Sequence, residues 1–261
     1  MNRLNTLFNN KKDLLSVYFT AGYPQLNDTT TILSALESAG VDFVEIGMPF
    51  SDPLADGPVI QKSSSQALAN GMTLQLLFQQ LSQMRKKIAM PVILMGYLNP
   101  VLKFGVERFL DKCVEVGVDG LIIPDLPFEI YNEKYRRLFE LRNISNIFLI
   151  TPQTIPERVK TLDENTTSFL YIVSSAAVTG AKAGLNSFQL EYFNRINDME
   201  LKSPKLIGFG ISDHNSYQQV CQYSNGAIIG SAFIKVVETS INLTKDITSF
   251  VDSIKSKNGR P

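Results

Sequence analysis

Glu45 lies in the run Asp42-Phe43-Val44-Glu45-Ile46-Gly47, with apolar, strand-forming residues on both sides. A carboxyl there faces the interior of whatever the strand builds. Burial without a cationic partner raises a carboxyl pKa toward the range in which it can give and take a proton at neutral pH. A buried, unpaired Glu is rare where it has no such work; the competing reading is a rim carboxylate paired to Lys or Arg. Asp56 follows eleven positions later, in the segment Met48–Pro58, which also holds three prolines, Gly57 and the apolar Phe50 and Leu54. A loop that only joined a strand to a helix would be shorter and would lack that apolar surface. On the Asp-Gly dipeptide alone Asp56 reads as a turn residue, as Asp52 does outright. A loop folded back over the strand ends would instead return Asp56 to Glu45. Two carboxyls in different surroundings can then divide the work, one exchanging protons and one staying ionised.

A second group lies near the end of the chain. Gly208-Phe209-Gly210-Ile211-Ser212 and Gly230-Ser231-Ala232 each follow an apolar run. The second precedes a predicted short helix over Phe233–Glu238. Glycines let backbone N–H groups approach an anion, and a helix start adds partial positive charge, so such a pair can hold a phosphate without Lys or Arg. The plainer reading is that they relieve crowding at strand ends. The small-residue stretch 174–184 reads either as a lid or as a flexible connection. Tyr18, Tyr97 and Tyr171 either line a flat apolar pocket or pack the interior. Asp125 is a candidate for orienting a neighbour, and His214, the one histidine, reads as a surface or capping residue.

Eight short, mostly continuous apolar runs must carry these groups: Leu15–Thr20, Asp42–Ile46, Val92–Met95, Gly120–Ile123, Asn146–Ile150, Phe169–Val173, Lys205–Gly208 and Ala227–Ile229. Their continuity predicts strands buried on both faces. Between them lie predicted helices at Thr29–Ala39, Thr73–Lys87, Val106–Glu115, Asn132–Leu141, Pro156–Asp163, Phe188–Asn197 and Asp213–Tyr223, with a last one at Lys245–Lys255. Asp28 and Thr73 suit N-caps, Gly40 and Gly117 suit helix stops, and Leu74, Leu77, Phe78 and Leu81 form a core-facing stripe. Residues 1–261 therefore read as one (β/α)8 barrel domain with a short N-terminal helix and an extra short helix before the last. In such a barrel the candidate groups fall at the C-terminal strand ends, where these folds carry their chemistry.

Composition removes other classes. Lys+Arg and Asp+Glu number 25 each, so no basic surplus favours nucleic acid or an anionic membrane. One histidine cannot build a two-imidazole zinc site. Cys113 and Cys221 form no CxxC pair and read as buried thiols of a reducing compartment. No export signal or apolar run of about 18 residues appears, so the chain reads as soluble and cytoplasmic.

The segments EIGMPFSDPLADGP, GLIIPDLP, VTGA, GFGIS and IIGSA occur in an order that closely resembles the tryptophan synthase α-subunit family along essentially the whole chain. The resemblance implies retro-aldol cleavage of indole-3-glycerol phosphate to indole and glyceraldehyde 3-phosphate. It implies Glu45 as acid and base and Asp56 as the group holding the indole N–H. It also implies phosphate contacts at Gly180, Phe209, Gly210, Gly230 and Ser231, Tyr171 as a pocket tyrosine, and Thr179 as a lid residue closing against Asp56. It implies no metal or organic cofactor in this chain. The expected partner is a pyridoxal-phosphate-bearing β subunit in an α2β2 heterotetramer, docked on the apolar loop after strand two and on the Pro-rich segment after strand four. Docking is expected to order the loop and bring Asp56 in. Two departures from the family pattern are Ala177, where a lid glycine is common, and Tyr18, where Phe is common. A phosphoribosyl isomerase and a catalytically idle binding barrel remain the alternatives.

Overall fold

Strands covered on both faces have no solvated side to alternate with, so their sequences stay apolar throughout. In the computed structural model, which describes residues 2–174, 185–208 and 210–256, these runs become β1 (Leu14–Thr20), β2 (Phe43–Gly47), β3 (Val92–Met95), β4 (Gly120–Ile122), β5 (Ser145–Asn146), β6 (Phe148–Ile150), β7 (Leu170–Val173), β8 (Lys205–Gly208) and β9 (Gly226–Ile229). The order is β5-β4-β3-β2-β1-β9-β8-β7-β6, with parallel pairing. β5 and β6 stand at opposite ends of that order yet are one run of chain broken at Ile147. Its start pairs with β4 and its end with β7, and the Ile147 N–H reaches the Leu121 carbonyl at 3.0 Å. The sheet thus closes through the chain itself, and nine segments make eight staves. The stagger that closes a barrel hands this stave from one neighbour to the other partway along.

Helices α1 (Arg3–Asn10), α2 (Asp28–Ser38), α3 (Pro58–Ala69), α4 (Leu74–Leu81), α5 (Leu98–Phe104) and α6 (Val106–Val116) cover the first half. A π-turn at Tyr131–Tyr135 joins α7 (Phe128–Ile130) to α8 (Arg136–Leu141), followed by α9 (Pro156–Asn165), α10 (Ser187–Asn197) and α11 (His214–Cys221). The extra helix α12 (Ser231–Thr239) precedes α13 (Leu243–Lys255).

Several expectations need correction. α3 and α5 were not predicted: the serines of α3 blur its apolar stripe, although Pro58 at its first turn is a start signal. The helix expected over Thr73–Lys87 ends at Leu81 and resumes as a 3-10 turn at Met84–Lys86. Thr73 does cap it, accepting from the Leu76 N–H at 3.1 Å. Asp28 is not an N-cap but the first residue of α2, and its carboxylate accepts from the Gln25 N–H. His214 is half-buried, with Nδ1 2.8 Å from the Ile254 carbonyl, while Asp213 caps α11. Cys113 is buried but Cys221 only half so; burial pushes both thiols up, Cys221 to about 12. Gly117 stops α6 in the left-handed region at φ +81°. Among the described residues no helix is long and apolar enough to cross a membrane.

The barrel interior is apolar at its base, where Leu4 of α1 plugs a layer formed with Leu14, Phe43 and Phe169. Charge at this end is paired. Asp119, 3% exposed, accepts from Arg85 at 2.6 Å, Arg3 at 2.9 Å and the Val92 N–H at 2.9 Å. Asp42 pairs with Lys11 and accepts from the Leu15 N–H, and Asp163 accepts from the N–H groups of Lys202 and Ser203. Asp119→Ala leaves Arg85 without its carboxylate and is expected to lower unfolding stability by about 3 kcal/mol. Urea denaturation checks this, and a loss below about 0.5 kcal/mol would mean the pairing does not hold the base together.

Candidate active site

The pleat of β2 sends Phe43, Glu45 and Gly47 to the interior, so Glu45 stands between the apolar base and the mouth. It has no accessible surface. The Ser16 hydroxyl donates to Oε1 at 3.3 Å, and Oε2 has no hydrogen-bond partner. Burial drives the carboxyl up to about 8, against the lowering effect of Ser16. Among the described residues neither Lys nor Arg pairs with it, which speaks against the rim-carboxylate reading.

Tyr18 sits opposite Glu45 in the β1–β2 register. A Cβ on Gly47 would lie 2.1 Å from the Tyr18 hydroxyl, and one on Gly208 would lie 2.3 Å from that of Tyr171. These glycines do relieve crowding: each gives a phenol room to lean across a stave tip. Both phenols are pushed up, first by burial, then by carboxylates: Asp56 and Glu45 for Tyr18, Glu45 and Asp56 for Tyr171. The two acids and two tyrosines therefore lie within electrostatic reach of one another.

The loop after β2 folds back. Tyr97, at the start of α5, donates to Asp56 Oδ2 at 3.0 Å and accepts the Ala55 N–H at 3.0 Å. Its ring packs 5.2 Å from that of Phe50. Gln61 adds a bond to the Asp56 carbonyl. Burial raises the Asp56 carboxyl to about 6, against the Tyr97 bond. The loop thus fixes Asp56 through Tyr97. Tyr97 is the tether rather than a mere apolar wall, a role that its sequence neighbours do not signal. Asp125 accepts the Leu98 N–H at 2.8 Å and so fixes the helix start that carries Tyr97.

Gly210 and Gly230 differ from the crowded glycines. A Cβ on Gly210 would meet nothing within 4 Å, although its φ of +79° requires glycine, and one on Gly230 would make only ordinary contacts, at 3.6 Å or more. Gly230 is the N-cap of α12 and Ser231 its first residue, so free N–H groups of a helix start open beside Tyr18. Thr179, Gly180, Phe209 and Ala177 lie outside the described residues. Among the described residues no group of three or more His, Cys, Asp or Glu side chains is placed to hold a metal.

A family model described as tryptophan synthase alpha chain matches residues 4–258. The chain belongs to the tryptophan synthase alpha chain family. The alpha chain of Flavobacterium psychrophilum is 54% identical over 254 residues, covering 97% of this chain and 100% of that one. That of Bacteroides thetaiotaomicron is 50% identical over 256 residues, covering 98% and 100%. Among solved structures, tryptophan synthase subunit alpha from Legionella pneumophila str. Paris superposes with a TM-score of 0.87 at 33% identity, covering 98% of this chain and 97% of that one. A ligand-free tryptophan synthase from M. tuberculosis gives 0.85 at 26%, covering 97% and 98%. This alpha chain is thus an enzyme subunit of tryptophan biosynthesis, in a family that works with a beta subunit.

An unpartnered acid inside the alpha-chain barrel costs stability. Between the ordinary Glu value and about 8, the unfolded chain has lost a proton that the folded chain keeps, so stability falls as pH rises across that window. Glu45→Gln is expected to stabilise the fold by about 4 kcal/mol at pH 8 and by about 1 kcal/mol or less at pH 5. Urea unfolding at the two pH values reads this; an equal gain at both, or a loss, would contradict it.

Proposed function

We propose that this alpha chain cleaves indole-3-glycerol phosphate to indole and glyceraldehyde 3-phosphate by a retro-aldol step. The observation that carries the reading is the fully buried Glu45 carboxyl, raised to about 8 with Oε2 unpartnered. A carboxyl still protonated at neutral pH can protonate indole C3. The bond from C3 to the glycerol carbon then breaks, and the carboxylate left behind takes the proton of the glycerol 3′-hydroxyl as the aldehyde forms.

Asp56 holds the indole N–H. With Oδ2 bound by Tyr97, Oδ1 accepts the N–H and its charge offsets the cation that forms on the ring. Tyr18, Tyr171 and Thr179 flank the indole. The phosphate rests on Gly180, Phe209, Gly210, Gly230 and Ser231, and this non-reacting anchor keeps the breaking bond aligned. No metal or organic cofactor takes part in this chain. A β subunit carrying pyridoxal phosphate receives the indole in a cytoplasmic α2β2 assembly. It docks over the loop bearing Leu54, which is 91% exposed, and over Pro124–Pro127. Residues 1–261 act as one barrel domain.

Incubation with indole-3-glycerol phosphate is expected to release indole; an isomerase or an idle barrel releases none, and that result would refute the reading. Glu45→Gln is expected to lower kcat by at least about 1000-fold with KM changed less than about threefold. The active form needs Asp56 ionised, hence pH above about 6, and Glu45 protonated, hence pH below about 8. The kcat/KM profile should therefore be bell-shaped with limbs near those values. A flat profile from pH 5 to 9 would contradict the two roles.

A further inference from the structure

Ser16 has no accessible surface and lies two residues before Tyr18 on β1, so both point into the barrel. In register it stands opposite Phe43, one step toward the base from the Tyr18–Glu45 pair. Its hydroxyl therefore approaches Glu45 from below, with Oγ 3.3 Å from Oε1. Leu14, Phe43, Phe169 and Ile228 make the surroundings at that level apolar. The polar groups above the carboxyl are the phenols of Tyr18 and Tyr171 and the carboxylate of Asp56 with Tyr97 upon it. Among the described residues no Lys, Arg or His is paired with Glu45. Among the described residues, one hydroxyl is all that the protein offers this acid.

We propose that Ser16 is the positioning residue for Glu45: its hydroxyl holds Oε1 from below and steadies the carboxylate that proton donation leaves behind. The proposal rests on the reading of Glu45 as the proton shuttle. A hydroxyl that donates to a carboxylate favours the charged form, and in a dry cavity with no competing donor that single bond weighs more than it would in water. It makes Glu45 a stronger acid toward indole C3 than burial alone would allow. It also fixes one oxygen, so the unpartnered Oε2 is the one free to exchange the proton.

The test compares Ser16→Ala, Ser16→Cys and Ser16→Thr in the full chain, with indole release measured across pH and thermal melting confirming the fold of each. Ala removes the donor, Cys keeps the size but weakens the donor, and Thr keeps the hydroxyl. For Ala and Cys the alkaline limb of kcat/KM is expected to move upward by about 0.5–1 pH unit, with kcat at pH 7 lowered about three- to tenfold and KM within about twofold. Thr is expected to keep the wild-type limb. An unmoved limb in both Ala and Cys, with or without a fall in kcat, would overturn the proposal and leave Ser16 as packing. Absence of indole release by the wild-type chain would instead refute the lyase reading, so the two failures are distinguishable.

Discussion

A carboxyl has been closed inside an apolar barrel with no cation among the described residues to neutralise it, and the rest of the site is arranged around that constraint. Removing a carboxylate from water is unfavourable enough that the group keeps its proton instead. The contrast within this one molecule makes the point. Asp42 and Asp119 at the base are also buried, yet each has a charged partner and a backbone N–H, and Asp163 has two N–H donors. Glu45 has one long bond from a serine and an empty oxygen. The same barrel thus uses carboxylates as rivets at one end and keeps an acid in reserve at the other.

Everything near the mouth keeps the second acid different from the first. Tyr97 holds Asp56 at the edge of the pocket, where partial exposure and a phenol bond leave it ionised at a pH at which Glu45 is not. Asp125 holds Tyr97 in turn through the first N–H of α5. The glycines divide by cause. Gly47 and Gly208 are where phenols press closest, whereas Gly210 and Gly230 leave backbone bare on the side where an anion would sit.

Much of this was legible in the sequence, because burial on both faces writes itself as unbroken apolar runs, and Glu45 interrupts one of them. The (β/α)8 arrangement follows from those runs and the helical spacing between them. What stayed hidden depends on contacts between distant segments. α3 was missed because its serines turn inward to bond Thr20 and Phe50, which breaks the apolar stripe. The tether from Tyr97 to Asp56 spans 41 positions and the Ser16–Glu45 bond 29, separations that no local pattern records. The split of the fifth stave arises from barrel closure, a property of the whole sheet rather than of the residues at 145–150.

The direct measurement is a titration of the Glu45 side chain itself in the ligand-free chain, by carbon-13 NMR of labelled glutamate carboxyls with Glu45→Gln to assign the signal. Burial without a cation predicts a midpoint near 8, well apart from the surface glutamates. A midpoint near the ordinary value of about 4.3 would mean that the carboxyl is charged where it sits, and the account of the site would fall with it.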